Sequence, residues 1–173
     1  DFADIRAEDA RALVREFLRQ APDGGWLAPA QAANLLRCYG VQLPTGDDAV
    51  TPAGTEVSVR LADDHVFGSL VVFGLADPEA GRAARLTPLT DTDADKLIRS
   101  VRLAPLALGR AAAGRGALRD LMLRVSRLAE DLPEVTAVDL DPVIAGPGGA
   151  TAMSARVELT PHQAQDPFLR KLR

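Results

Sequence analysis

Two aspartates in the C-terminal third of the chain have the residue type and spacing that could hold a metal ion. Asp139 and Asp141 stand two residues apart in the run VDLDPV. If this run is a strand, side chains two residues apart point to the same face, and Mg²⁺ prefers oxygen ligands of this kind. Paired carboxylates are also common on solvated strand faces, where they do no chemistry. The spacing alone leaves both interpretations open.

The residues that could act as nucleophiles or general bases have no partners at a readable spacing. The histidines are His65 and His162, and Cys38 is the only cysteine. No nucleophile motif such as G-x-S-x-G surrounds Ser126 or Ser154. One cysteine cannot build a disulfide framework or a cysteine-rich metal site. We therefore predict no catalytic residue, and we interpret Cys38 as part of a helix core.

Composition and charge narrow the classes of function. The chain has 173 residues, of which 47% are hydrophobic, and a net charge of −4. Its basic residues are scattered arginines, which is not the electrostatic footprint of a nucleic-acid-binding protein. No apolar run approaches the roughly 18 residues that span a bilayer, and residues 1–9 are too acidic for a signal peptide. The sequence predicts a cytoplasmic protein with no nucleic-acid partner and no membrane contact.

Four amphipathic helices are predicted from apolar residues at three- and four-residue spacing. Gly40 is the expected C-terminal cap of the second helix, and Thr90 or Asp91 is the expected N-cap of the third. Residues 110–116 are rich in Ala, Gly and Arg, and we predict a loop there. The predicted helices are residues 7–20, residues 29–39, a segment from 90 or 91 to 101, and residues 118–132.

Strands are predicted where polar and apolar residues alternate or where β-forming residues run together. Residues 56–61 and 67–75 predict an antiparallel hairpin, and residues 82–86 predict a third strand. Residues 135–145 and 150–159 flank the turn sequence GPGG, which indicates a closing hairpin. The order of elements predicts an α+β fold, with a mainly antiparallel sheet and packed helices.

Three stretches carry motifs in a fixed order along the chain. The first is WLAPAQAANLLRCYGVQLP at residues 26–44. The second lies within residues 54–106, and includes GTEVSVRLADDHVFGSLVVFGL followed by RLTPLTDTDADKLIRSVRLAPL. The third lies within residues 121–159, and includes RLAEDLPEVTAVDLDPVIAGPGGATAMSARVEL. Together they resemble the ATP-grasp domain of NDP-forming acyl-CoA synthetases, whose patterns include G-x-E-hydrophobic-x-x-G-hydrophobic and E/D-x-N-P. The implied fold is that of the ATP-grasp large lobe.

The resemblance implies a nucleotide and metal site. In this family the first carboxylate and the Asn of E/D-x-N-P, with an Asp on the partner strand, hold Mg²⁺ against the nucleotide phosphates. Asp139, Asp141 and Ser154 stand at those positions here, so Mg²⁺ and ATP or ADP are the implied ligands. Asp139 and Asp141 are the expected metal ligands, and Asp139 and Glu56 are the expected nucleotide-binding residues. A charge at the edge of a hairpin is the alternative interpretation of Glu56.

The chain departs from this family at two places that handle phosphate. Residues 45–54 stand where the family has a long lid lobe, which supplies a phosphate-gripping Lys and a His-containing loop. Residues 73–77 read FGLAD where the family has FGLGG. Glycine-rich turns bind phosphate through unobstructed backbone N–H groups, so the pocket is expected to be degraded.

These features leave three hypotheses on function. The first is a degenerate or lid-deleted ATP-grasp nucleotide-binding domain, acting as a regulatory or structural module with a CoA-binding or acetyltransferase domain of the same protein as its partner. The second is an active acid–thiol ligase, an acyl-CoA synthetase whose lid lobe is missing from this stretch of chain. The third is a protein-interaction module that binds no nucleotide and uses the arginine face of helix 118–132. In the expected organisation, residues 1–160 form one domain, helical over 1–44 and with the sheet and helices over 51–160, and residues 161–173 form a tail.

Overall fold

The computed structural model describes residues 2–44, 52–64, 66–75, 81–101 and 112–161. These residues form an α+β fold, as the sequence predicts. The helices are α1 (Ala7–Gln20), α2 (Pro29–Cys38), α3 (Asp91–Ser100) and α4 (Ala112–Asp131). The strands are β1 (Gly25–Trp26), β2 (Thr55–Asp64), β3 (Gly68–Leu75), β4 (Arg82–Leu86), β5 (Val135–Gly146), β6 (Gly149–Ala152) and β7 (Ala155–Leu159). None of the helices in these ranges is long and apolar enough to cross a membrane.

One sheet contains all the described strands. Six of them follow the order β1-β7-β5-β2-β3-β4, β6 pairs with β5 outside this path, and the pairs between the strands are antiparallel. The predicted β2–β3 hairpin and the third strand, β4, are confirmed. The closing hairpin is also present, but its second strand is split in two. Because β2 occupies one side of β5, β6 and β7 share the other side and are separated by Met153 and Ser154.

The helices pack on one face of the sheet and enclose a single core. Val59, Phe73 and Leu140 point from the strands into this core, and all three are fully buried. Burial of one such side chain contributes about 1.5–3 kcal/mol relative to exposure. We call the opposite side of the sheet, which carries no helix in the described part of the chain, the open face. The buried stripe of α4 consists of Leu118, Leu121, Met122, Val125 and Leu128.

The helix ends follow local capping chemistry. Thr90 is the N-cap of α3, because its Oγ1 accepts a hydrogen bond from the backbone N–H of Asp93 at 3.1 Å. The Asp93 carboxylate in turn accepts one from the backbone N–H of Thr90 at 3.0 Å. Gly40 lies just beyond α2 with φ of 73°, a left-handed conformation that glycine adopts without a steric penalty. Both predicted caps are therefore confirmed, with Thr90 chosen over Asp91.

The fourth helix begins earlier than predicted. Ala112 to Gly116 are helical, so the expected loop over residues 110–116 is wrong for its described part. Alanine is the best helix former, and it offsets the low helix propensity of the two glycines. Gly114 is buried, and a Cβ there would lie 3.4 Å from the backbone nitrogen of Gly146. The first turn of α4 therefore packs in van der Waals contact with the end of β5.

The chain joins the sheet edge after α2. Gln42 forms a parallel bridge with Thr151 of β6, and the backbone N–H of Ala152 donates to the Gln42 carbonyl at 3.0 Å. Thr151 pairs with Ile144, which in turn pairs with Glu56. A single row therefore crosses the sheet from Gln42 to Glu56.

The only cysteine has a structural position. Cys38, at the end of α2, is 4% exposed and belongs to the hydrophobic core. Burial raises the pKa of its thiol, which disfavours the reactive thiolate. The interpretation of Cys38 as a helix core residue is confirmed.

Candidate functional site

Arg60 of β2 and two aspartates of β5 form one cluster on the open face. Arg60 stands opposite Asp139 in the antiparallel register. Its Nε donates to Asp139 Oδ1 at 3.1 Å, and its Nη2 donates to Asp141 Oδ2 at 3.2 Å. We call Asp139 and Asp141 the carboxylate pair. One guanidinium group therefore spans both members of the pair.

A bulge in β5 lies at the second member of the carboxylate pair. The register shifts between Val57 and Val59 of β2, so that Asp141 and Pro142 together stand opposite Ser58. An extra residue on one strand bends that strand and redirects its side chains. Strand alternation already places Asp139 and Asp141 on one face, and the bulge adds a local bend at Asp141.

The cluster is half exposed, which limits its contribution to stability. The side chains of Arg60, Asp139 and Asp141 are 36%, 33% and 43% exposed. Ion pairs at this exposure typically contribute about 0–1 kcal/mol each. The main effect of the contact is local, because the single positive charge of Arg60 offsets part of the charge of the carboxylate pair.

Glu56 lies on the open face, but at a distance from the carboxylate pair. It precedes Arg60 by four residues on β2, which corresponds to about 13 Å along a strand. Its side chain is exposed, and its partner on β5 is Ile144. The structure thus places the three predicted site residues on one face, and it brings two of them, Asp139 and Asp141, to a common partner.

Ser154 stands at the break between β6 and β7. It is exposed and directly precedes Ala155, whose partner Leu140 directly precedes Asp141. Ser154 therefore lies beside the carboxylate pair. A neutral hydroxyl at this point gives the cluster no third carboxylate.

The residues at this cluster do not fit a resident Mg²⁺ ion. Mg²⁺ requires near-octahedral oxygen ligands at about 2.0–2.1 Å. One oxygen of each carboxylate already accepts a hydrogen bond from Arg60. A unit positive charge 4 Å from a divalent cation near a protein surface repels it by about 8 kcal/mol, so the guanidinium opposes binding of Mg²⁺. Within the described ranges, no group of three or more His, Cys, Asp or Glu residues could hold a metal ion.

Two further arginines, which the sequence does not predict as site residues, lie on the open face. Arg82 of β4 lies across Gly74, where a Cβ would be 3.1 Å from its Cγ. No ion pair involves Arg82 within the described part of the chain. Arg156 pairs with Asp139 across β5 and β7, and its guanidinium carbon lies 4.3 Å from the ring centroid of Trp26.

Arg60 was also missed, although a signal for it existed. In the pattern G-x-E-hydrophobic-x-x-G-hydrophobic, Gly54 and Glu56 take the first and third positions, so residue 60 takes the place of the last glycine. An arginine at a position where a family has no side chain is a candidate for an altered site. The contact between Arg60 and the carboxylate pair could not be predicted from this signal, because the prediction also requires the strand register that sets Arg60 opposite Asp139.

Several predicted features lie outside the described residues. They are the segment 45–51, His65, the Ala76–Asp77 part of FGLAD, His162 and the remainder of the expected tail. The expectations for them remain predictions.

Comparison with known proteins identifies the family of the chain. Residues 47–159 match the ATP-grasp domain, which is more than half of the chain. The chain belongs to the ATP-grasp family. Its strands β2 to β7, with α3 and α4, fall within the matched residues.

Curated relatives of this ATP-grasp domain are ADP-forming acetate–CoA ligases. The β subunit of acetate–CoA ligase (ADP-forming) I from Pyrococcus furiosus is 34% identical over 115 residues, which cover 62% of this chain and 50% of the relative. Acetate–CoA ligase (ADP-forming) II from Archaeoglobus fulgidus is 34% identical over 110 residues, which cover 60% of this chain and 16% of that protein. The domain is thus related to NDP-forming acyl-CoA synthetases. It spans about half the length of the P. furiosus subunit.

Solved structures share the fold of this ATP-grasp domain. PH1788 from Pyrococcus horikoshii Ot3 superposes with a TM-score of 0.79 at 21% identity, covering 91% of this chain and all of that one. The acetyl-coenzyme A synthetase 1 of Ca. Korarchaeum cryptofilum, solved with coenzyme A and Mg-AMPPCP, gives a TM-score of 0.74 at 20% identity, covering 87% of this chain and 99% of that chain. At these identities the likeness establishes the fold.

Proposed function

We propose that this ATP-grasp domain binds an adenine nucleotide on its open face and does not by itself carry out acyl-CoA ligation. The observation that carries the proposal is the β2–β5 register, which sets Glu56 and the carboxylate pair on one face. A nucleotide in an extended conformation is long enough to reach from Glu56 to this pair. The family membership and the relation to acyl-CoA synthetases support a nucleotide as the ligand.

The absence of independent ligation follows from the chemistry of the site. Phosphoryl transfer depends mainly on positioning and on stabilising the charge of the transferred group, which metal ions and basic residues provide. Here the carboxylate pair is bridged by Arg60, and Ser154 supplies no carboxylate beside it. These features support binding of the phosphates and give no support to their transfer.

A domain of this kind has a role as a regulatory or structural module of a synthetase-like protein. The chain spans about half of the P. furiosus subunit that it matches, so a larger protein is a suitable setting. In the proposal, a CoA-binding or acetyltransferase domain of the same protein is the partner, and nucleotide occupancy is the signal it senses.

Calorimetric titration of the chain with Mg-ADP and Mg-ATP tests the binding proposal. We expect saturable binding that weakens in Glu56→Gln, because the glutamate lies on the proposed nucleotide face. Glu8→Gln is the matched control, since Glu8 is an exposed carboxylate on α1 that pairs with Arg11. Binding that is equal in both variants, or no heat at millimolar nucleotide, would contradict the proposal and favour a purely structural or protein-binding module.

An activity assay addresses the ligase alternative. Purified chain is incubated with acetate, CoA and Mg-ATP, and acetyl-CoA is measured by chromatography. We expect none to form. Formation of acetyl-CoA in proportion to the amount of chain would show an active ligase, and the proposal of a non-catalytic module would be withdrawn.

A further inference from the structure

The carboxylate pair already holds a cation that belongs to the chain. We propose that Arg60 takes the place of a divalent metal ion at this face, so that the site excludes Mg²⁺ and presents a fixed guanidinium directly to phosphate. The inference concerns how the open face works. The metal part, that the site excludes Mg²⁺, does not depend on the proposed function. The phosphate part, that Arg60 binds phosphate, rests on the proposed binding of a nucleotide.

The geometry of Arg60 suits this role. A guanidinium has five N–H donors in a planar fork. The Nε and Nη2 atoms donate to the carboxylate pair, which orients the group, and the Nη1 donors have no partner among the described residues. The side chain is 36% exposed, so part of it is accessible to a ligand. Arginine binds phosphate oxygens through such paired donors.

The surrounding charges agree with a site for an anion held by arginine. Asp139 has an arginine opposite it on each neighbouring strand, Arg60 on β2 and Arg156 on β7. Arg82 adds a third guanidinium on the open face and has no ion-pair partner in the described ranges. The carboxylate pair thus orients the guanidinium of Arg60, whereas at a metal site the two carboxylates would bind a metal ion directly.

Removal of the guanidinium should open a metal site. We would titrate Mn²⁺, a paramagnetic probe for the same kind of oxygen ligands as Mg²⁺, into wild-type chain, Arg60→Gly and Arg60→Gln, and measure bound Mn²⁺ by electron paramagnetic resonance. We expect no saturable binding in the wild type, and saturable binding in both variants with a Kd at least about tenfold below the highest Mn²⁺ concentration at which the wild type shows none. Arg60→Gly with Asp139→Asn should lose the gained binding, which assigns it to the carboxylate pair.

Two controls keep this test interpretable. Arg60→Gln avoids a glycine in a strand interior, so it covers the case in which Arg60→Gly fails to fold. Arg85→Gly makes the same change on β4, where Arg85 is 41% exposed and pairs with Asp93 of α3 at 3.7 Å. It should bind no more Mn²⁺ than the wild type. Equal Mn²⁺ binding by wild type and both Arg60 variants would overturn the inference, because a surface ion pair without this role predicts that result.

A second titration measures the phosphate part. Wild-type chain is titrated with ADP in the presence of Mg²⁺ and in the presence of EDTA, and we expect equal affinities. Arg60→Gln should bind ADP about tenfold more weakly in EDTA and should recover affinity when Mg²⁺ is added. A wild-type affinity that depends on Mg²⁺ would overturn this part. If ADP does not bind under any condition, the proposed function fails, and the Mn²⁺ result still decides the metal part.

Discussion

Tyr39 joins the end of α2 to α4 through one buried hydrogen bond, and loss of its hydroxyl should destabilise the fold. The side chain is fully buried, and its Oη donates to Asp131 Oδ2 at 3.0 Å. A hydrogen bond to a charged group contributes about 1.5–3 kcal/mol. In Tyr39→Phe, Asp131 keeps Arg127, whose Nε lies 3.2 Å from both carboxylate oxygens. We therefore expect the free energy of unfolding to fall by an amount at the lower end, about 1.5 kcal/mol at pH 7.

The same residue predicts a change of stability with pH. Burial, followed by the Asp131 carboxylate, raises the pKa of Tyr39 well above its ordinary value of 10.0. Above about pH 10 the unfolded chain loses the phenolic proton while the folded chain keeps it, so stability falls as pH rises. Phenylalanine has no such proton. The advantage of the wild type over Tyr39→Phe should therefore shrink by about 1.4 kcal/mol between pH 9 and pH 11.

Two optical signals make this measurement direct. Tyr39 and Trp26 are the only tyrosine and tryptophan in the chain. Urea unfolding followed by Trp26 fluorescence gives the free energy for both variants at pH 7, 9 and 11, and an ultraviolet absorbance titration gives the ionisation of Tyr39 in the folded chain. If Tyr39 ionises near pH 10 in the folded chain, or if the two variants lose stability in parallel above pH 9, the account of this contact is wrong.

Two other predictions concern helix capping and the core, and both are checked by urea unfolding. Thr90→Ala removes the N-cap of α3 and should lower the free energy of unfolding by about 1 kcal/mol, whereas Thr92→Ala, exposed on the same helix, should change it by about 0.5 kcal/mol or less. A comparable loss in both would count against the cap. Leu128→Ala, fully buried in α4, should cost about 2–5 kcal/mol. Leu13→Ala, at a residue 37% exposed, should cost much less, and equal losses would contradict the assigned core.

Local signals explain which elements could be predicted. The first helix has the predicted bounds, Ala7–Gln20, because its apolar spacing and the Pro-Asp-Gly-Gly break after it lie within the segment itself. Strand β1 was not predicted, since Gly25 and Trp26 pair with Leu159 and Glu158, which are distant in the sequence. The start of α4 was missed because an Ala/Gly/Arg composition is typical of loops as well as of a helix that must pass close to a sheet.

The residues of the candidate site could be predicted from the sequence, but only some of the contacts between them could. The motifs pointed to Glu56, Asp139 and Asp141, and the alternation of strand residues placed them on one face. The partner of the aspartates could not be predicted, because it depends on the register between β2 and β5. A shift of one residue in that register would turn Arg60 towards the core. That register is set by long-range packing of the buried faces of two strands.

The row that crosses the sheet from Gln42 to Glu56 also determines where this fold can be extended. The described chain leaves this end of the sheet at Pro44 and returns to it at Pro52. Three strand spacings separate the ends of the row, about 14 Å, and ladder hydrogen bonds outside the intervening segment hold that separation. Each doubling of a loop's length costs only about 0.6 kcal/mol of closure entropy. A lobe grafted between residues 44 and 52 would therefore leave the host sheet intact, which makes this chain a suitable recipient for chimeras with its longer relatives.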